Sequence, residues 1–121
     1  VDGIDADKNV LPFLQLHAEL NDVSIRTENK TFQRLTTDYL SQYDLVLGAD
    51  ICYWDEMTGI LANLIARSRR AGVKQVIIAD PCRPPFTDLA ERCMDRYDQV
   101  KVKRKFLSKP VKASGDILVV N

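Results

Sequence analysis

The sequence predicts an α/β domain: a mostly parallel sheet, helices on both of its faces, and an antiparallel hairpin along one edge. Three observations lead there. Strand-like runs alternate with runs of helical periodicity from Val1 to Tyr97. Two of the strand-like runs, 43–50 and 73–79, have nearly unbroken apolar centres, which suits strands covered on both faces. Beyond Tyr97 two further strand-like segments follow without an intervening helix.

Each element has its own signal. Residues 1–5 read as a short strand closing on Asp5. Asp7 is placed to cap a helix carrying Val10, Leu11, Leu14, Ala18 and Leu20 at helical spacing, with Pro12 tolerated in its first turn. Asn21 and Asp22 end it, and 23–27 reads as a second strand. Asp55 follows the strand at 43–50 and is placed to cap a helix with an apolar stripe at Ile60, Leu61, Leu64 and Ile65. Arg69, Arg70 and Gly72 supply cationic charge and a glycine where that helix should stop. After the strand at 73–79 and Asp80-Pro81, the pair Pro84-Pro85 opens a helix over about 86–97. Residues 99–107 alternate, with Val100, Val102 and Phe106 on one face and Lys101, Lys103 and Lys105 on the other. A basic turn and a strand over 116–121 complete the chain. The lysine row is expected to keep an exposed edge strand from pairing with other chains, or to dock a substrate.

A length of 121 residues suits one domain, 1–121, and the 45% apolar content is enough for a globular core rather than a disordered chain. No apolar run reaches the ~20 residues of a membrane helix, so an integral membrane protein is not expected. The net charge is zero but unevenly spread: 4 basic and 11 acidic residues over 1–60, against 13 basic and 6 acidic over 61–121. A field of that kind steers partners, yet the basic half lacks the interleaved aromatics of single-strand binders, so nucleic acid is not the expected partner. Cys52, Cys82 and Cys93 have no metal-ligand spacing. Their odd number suits free thiols and a cytoplasmic setting. His17 sits in a helical pattern and reads as an ordinary surface residue.

In open α/β sheets, ligands bind beyond the carboxyl ends of the strands. There the sequence places Asp5 and Asp7, then Asp50, Cys52, Tyr53 and Trp54, then Asp80, Cys82 and Arg83. A carboxylate such as Asp5 can accept hydrogen bonds from the two vicinal hydroxyls of a ribose; Asp5 or Asp7 can equally cap the next helix. Asp38, in a predicted loop ahead of the strand at 43–50, can meet an adenine amino group or form an Asx turn. Trp54 can flank a cationic or aromatic substrate, or pack over the helix that follows it.

The stretch Gly3-Ile4-Asp5-Ala6-Asp7, the run from Tyr43 through Gly48-Ala49-Asp50-Ile51-Cys52-Tyr53-Trp54, and Asp80-Pro81-Cys82-Arg83-Pro84 resemble class I (Rossmann-like) S-adenosylmethionine-dependent methyltransferases. The likeness is greatest to the branch of small enzymes that holds many protein-lysine methyltransferases, and it spans essentially all 121 residues. It implies an enzyme with S-adenosylmethionine as cofactor and a methyl-acceptor substrate, such as a protein lysine. By position, Asp5 would hold the cofactor ribose, Asp38 would lie near the adenine, and Ala49 and Asp50 would line the methionine end. Asp50, Tyr53 and Trp54 would face the methyl-transfer centre.

One departure is large. The family's first strand and its glycine-rich loop have no counterpart here, and no GxGxxG-like run occurs. Glycine lets that loop approach the cofactor closely. The resemblance therefore implies a sheet without its first strand, the gap closed by direct pairing of the two flanking strands, by a second copy of the chain or by an upstream segment, and a fragment expected to be inactive alone. Two other readings compete: a non-catalytic interaction module with a degenerate fold, and a nucleotide-binding oxidoreductase domain. The second needs a glycine fingerprint before its acid, and the fingerprint is absent.

Overall fold

A computed structural model describes residues 1–121. The element order is β1 (Asp2–Asp5), α1 (Leu11–Leu20), β2 (Arg26–Asn29), a 3-10 turn (Phe32–Arg34), α2 (Thr37–Leu40), β3 (Leu45–Ala49), α3 (Glu56–Arg70), β4 (Gln75–Asp80), α4 (Pro84–Arg96), β5 (Val100–Leu107) and β6 (Ala113–Val120). The chain divides into two compact units, Val1–Leu35 and Thr36–Asn121.

In the first unit β1 pairs in parallel with β2, from Asp2 opposite Arg26 to Asp5 opposite Asn29. Arg26 donates to both Asp2 carboxylate oxygens across that pair. The close approach of α1 rests on Gly3, where a Cβ would lie 2.5 Å from Leu14 Cδ2 and 2.8 Å from Ile25 Cδ1. Asp7 does not cap α1. The helix starts later, after Val10 and with Pro12 in its first turn, and Asp7 Oδ1 instead accepts from the backbone and side chain of Asn9. β2 likewise starts at Arg26, later than the apolar run suggested, because its partner β1 begins opposite it at Asp2. His17 is exposed, as expected.

The second unit holds a four-stranded sheet in the order β3-β4-β6-β5. β3 and β4 are parallel; β4 with β6, and β6 with β5, are antiparallel, so the expected closing hairpin is present. One face carries Val76, Ile78, Leu118 and Val120, all buried. With Leu61 and Ile65 of α3 and Phe86, Leu89 and Cys93 of α4, they form the core. Thr58 of α3 donates its hydroxyl to the Pro85 carbonyl at 3.1 Å and joins the two helices inside that core. The stripe predicted for α3 is correct, and Gly72 ends the helix in a left-handed conformation (φ 85°) as its position suggested.

β3 departs from expectation. Its apolar run suggested burial on both faces, yet Leu45 and Leu47 are 44% and 68% exposed. They lie on the face opposite α3 and α4, and β3 pairs only with β4. A run of apolar residues shows what a strand can bury, not what covers it.

Candidate active site

The site begins where β3 and β4 end side by side, Ala49 opposite Ala79. The next residue, Asp50, donates its amide to the Ala79 carbonyl at 2.9 Å and turns left-handed, with φ 59°. Cys82, just past β4, is left-handed too, with φ 76°. A side chain in this region costs about 1–3 kcal/mol and tends to mark functional corners. The two turns lead the chain off the sheet and leave the Asp50 side chain 70% exposed.

Arg83 joins the two strand ends. Its guanidinium forms an ion pair with Asp50 and lies 3.6 Å from Asp80 Oδ2. Its backbone amide donates to Asp80 Oδ1 at 2.8 Å, so Asp80 also closes the turn into α4. The Asp80 side chain is fully buried, and neither its Oδ2 nor Arg83 Nη1 makes a hydrogen bond. A buried carboxylate needs a counter-charge, and Arg83 is the one present. Cys52 lies buried nearby; burial, and then the Asp80 charge, push its thiol up to about 12. A thiol so raised is not a nucleophile at neutral pH.

Tyr53 and Trp54 stack edge to face, with centroids 4.6 Å apart, and both rings face solvent. Trp54 is 65% exposed, so packing over α3 does not account for it. On the hairpin, Arg104 donates to both carboxylate oxygens of Asp116 at 2.7 and 2.9 Å and to Cys82 Sγ at 3.1 Å. The guanidinium holds Asp116 below the usual carboxylate range. Partial burial, and then Asp116, raise the Cys82 thiol.

A groove of about 310 Å³ crosses the ends of all four strands, with Asp50 at the β3 end and Lys105 and Leu107 on β5. Ala49, Ala79 and Ile117 lie in one cross-strand row along it. Gly115 also lines it, and a Cβ there would stand 2.8 Å from the Asp80 carbonyl oxygen.

The other expected residues stand as follows. Asp5 is half-buried; its Oδ1 accepts the Asp7 amide at 2.8 Å, while Oδ2 is unpartnered. Asp38 is not in a loop. It lies in the first turn of α2, capped by Thr36, whose hydroxyl accepts the Tyr39 amide at 3.2 Å, and its carboxylate is exposed. Ala49 and Asp50 come together in the groove, and Tyr53 and Trp54 come together in one stack. Sequence reasoning put Arg83 on the rim but missed its clamp, and it missed Arg104, Asp116 and the groove. The alternation of 99–107 held the only signal for the hairpin pair, and register alone sets Arg104 opposite Asp116.

No protein-family profile matches the chain, and no curated protein matches it in sequence. Solved structures do match its fold. A structure described as the delta-N METTL16 MTase domain superposes with a TM-score of 0.69 at 12% identity over 98% of this chain and 60% of that one. A human methyltransferase 10 domain containing protein gives 0.67 at 12% identity, over 98% and 58%. A precorrin 8w decarboxylase from Methanobacterium thermoautotrophicum gives 0.56 at 12% identity, over 98% and 67%. The chain spans about three fifths of the length of the two methyltransferase chains. The fold is therefore the Rossmann-like α/β fold of methyltransferase domains.

Proposed function

We propose that these residues belong to an S-adenosylmethionine-dependent methyltransferase that methylates an amine, with a protein lysine as the favoured acceptor. The observation that carries this reading is the Asp50 corner. An exposed carboxylate on a left-handed turn, held by Arg83, stands at the carboxyl ends of parallel strands in this fold.

Each residue, taken within its own unit, has the chemistry that its expected role needs. The unpartnered, half-buried Asp5 Oδ2 suits ribose hydroxyls, and the exposed Asp38 carboxylate suits an adenine amino group. Ala49 offers a small side chain for the methionine end. The glycine loop that cradles such a cofactor is not among these 121 residues, so tight binding needs a segment or a second copy to supply it. The bound cofactor supplies a methyl group already activated on a sulfonium. What remains for the chain is alignment and proton handling. Asp50 orients the amine while its proton leaves to solvent, Arg83 fixes that carboxylate in place, and the faces of Tyr53 and Trp54 flank the acceptor.

The test is calorimetry and thermal shift with S-adenosylhomocysteine and with NAD on the chain completed by the segment or copy that supplies the glycine loop. We expect that completed chain to respond to the first alone, and the 121 residues by themselves to bind neither tightly. Asp5→Ala should weaken binding by about 1–3 kcal/mol through lost charge-assisted hydrogen bonds. Asp50→Ala and Tyr53→Phe should lower turnover more than cofactor affinity. Unchanged affinity in Asp5→Ala removes Asp5 from the site. A completed chain that binds neither cofactor favours the interaction-module reading, which the missing glycine fingerprint supports.

A further inference from the structure

The hairpin carries an unneutralised positive field beside the groove. Cross-strand register sets Lys101 opposite Val119 and Lys103 opposite Ile117, and sets Val119 opposite Ile77 and Ile117 opposite Ala79. The lysines therefore share the open, apolar face of the sheet with the groove, away from α3 and α4. All three of Lys101, Lys103 and Lys105 are exposed and none has an acidic partner, whereas Arg83 and Arg104 are both paired. The one acid on the hairpin, Asp116, is taken up by Arg104. Lysines on the edge strand β5 discourage pairing with other chains, and the same three charges lead along the sheet to a groove that ends at a carboxylate.

We propose that the lysine row and the groove form the acceptor-docking surface, and that the acceptor is an extended acidic peptide carrying a lysine. The proposal rests on the methyltransferase reading and adds the substrate class. Alternate residues of an extended strand stand ~6.6 Å apart, so the row matches acidic side chains at alternate positions of another extended chain. The groove suits an aliphatic stem: its floor is Ala49, Ala79, Ile117 and Leu107, and Asp50 at the far end meets an ammonium. Lys105 at the near end meets the flanking acid. A nucleobase is the poorer fit, because no aromatic ring lines the groove along which the acceptor chain lies.

The test is fluorescence anisotropy on the full chain with three probes: a peptide of Lys amid alternating Glu, the same peptide with Ser for Glu, and a single-stranded RNA oligomer. We expect the acidic peptide to bind at least about tenfold tighter than the neutral one, with the preference shrinking as salt rises. The triple variant Lys101→Gln, Lys103→Gln, Lys105→Gln should lose that preference. These exposed side chains should leave the circular dichroism and the completed chain's S-adenosylhomocysteine response unchanged. Equal binding of the two peptides, an unaffected triple variant, or tighter binding of RNA overturns the proposal. A chain completed with its glycine loop that prefers the acidic peptide but ignores S-adenosylhomocysteine supports the docking surface and counts against the methyltransferase reading instead.

Discussion

Arg83 contacts two acids at once. It is the nearest cation to a carboxylate with no solvent access, and it holds the exposed carboxylate of Asp50 at the strand ends. Removing one member of a buried pair costs more than removing both, because the survivor keeps its desolvation penalty. Arg83→Met should therefore destabilise by about 3 kcal/mol, and Arg83→Met with Asp80→Asn by clearly less. Urea denaturation of the two single variants and the double variant checks this; an additive cycle would show that the two groups do not interact. The thiols give a second residue-scale prediction. Burial raises Cys52 to about 12 and Cys93 to about 11 from an ordinary value of 9.0. A raised native value means that the folded state holds the proton more tightly. The stabilisation is thus complete below about pH 9 and is lost as pH climbs toward 11 and 12. The melting temperature should fall on going from pH 8 to pH 10.5, by less in Cys52→Ala. At pH 8 a disulfide reagent should find three thiols in the unfolded chain and should react with native Cys52 and Cys93 slowest, since both are buried.

At the scale of elements, the β4–β6 ladder from Val76 opposite Val120 to Asp80 opposite Asp116 positions the hairpin, and one close approach lies at its end. Gly115 on β6 passes so near the end of β4 that a Cβ would press on the Asp80 backbone, which cannot swing away as a side chain would. Gly115→Ala should cost about 1–3 kcal/mol and displace the β5 side of the groove. Gly59→Ala in α3 meets nothing within 4 Å and should stabilise by up to about 1 kcal/mol through helix propensity. Denaturation midpoints of the two variants should move in opposite directions. Gly115 also marks what the sequence could disclose. Helix α3 was legible, because its stripe, its arginines and Gly72 all express local rules. So were β4 and the hairpin, whose alternation belongs to single strands. The start of α1 was not, since Asp7 satisfied Asn9 rather than the helix. The Arg83 clamp was not, since nothing local shows that Asp80 is buried or that Asp50 turns left-handed. The groove was not, since it needs the register of four strands at once.

Across the whole molecule, burial is shared unequally between the two units. Within Thr36–Asn121 the core joins α3 and α4 to β4 and β6 through Leu61, Ile65, Ile78, Phe86, Leu89 and Leu118, all buried. Within Val1–Leu35 only Ala18 and Leu35 are buried, and Phe13, Leu16 and Leu20 of α1 are exposed. A fully buried large apolar side chain contributes about 1.5–3 kcal/mol, so several in one unit outweigh an alanine and one leucine in the other. Segments with few buried apolar groups open locally at low cost, whereas core strands exchange only when the whole unit unfolds. Hydrogen exchange should therefore rank the amides in two groups. Those of β1, α1 and β2 should exchange by local opening, largely insensitive to dilute denaturant. Those of β4 and β6 should exchange slowest, with a denaturant dependence that matches global unfolding. A chain of residues 36–121 should retain cooperative unfolding and the protection pattern of β4 and β6. Equal protection of β1 and β4, or loss of cooperativity in the shortened chain, would show that the two units are stabilised as one. In that case the Asp5 carboxylate would be held as firmly as the Asp50 corner.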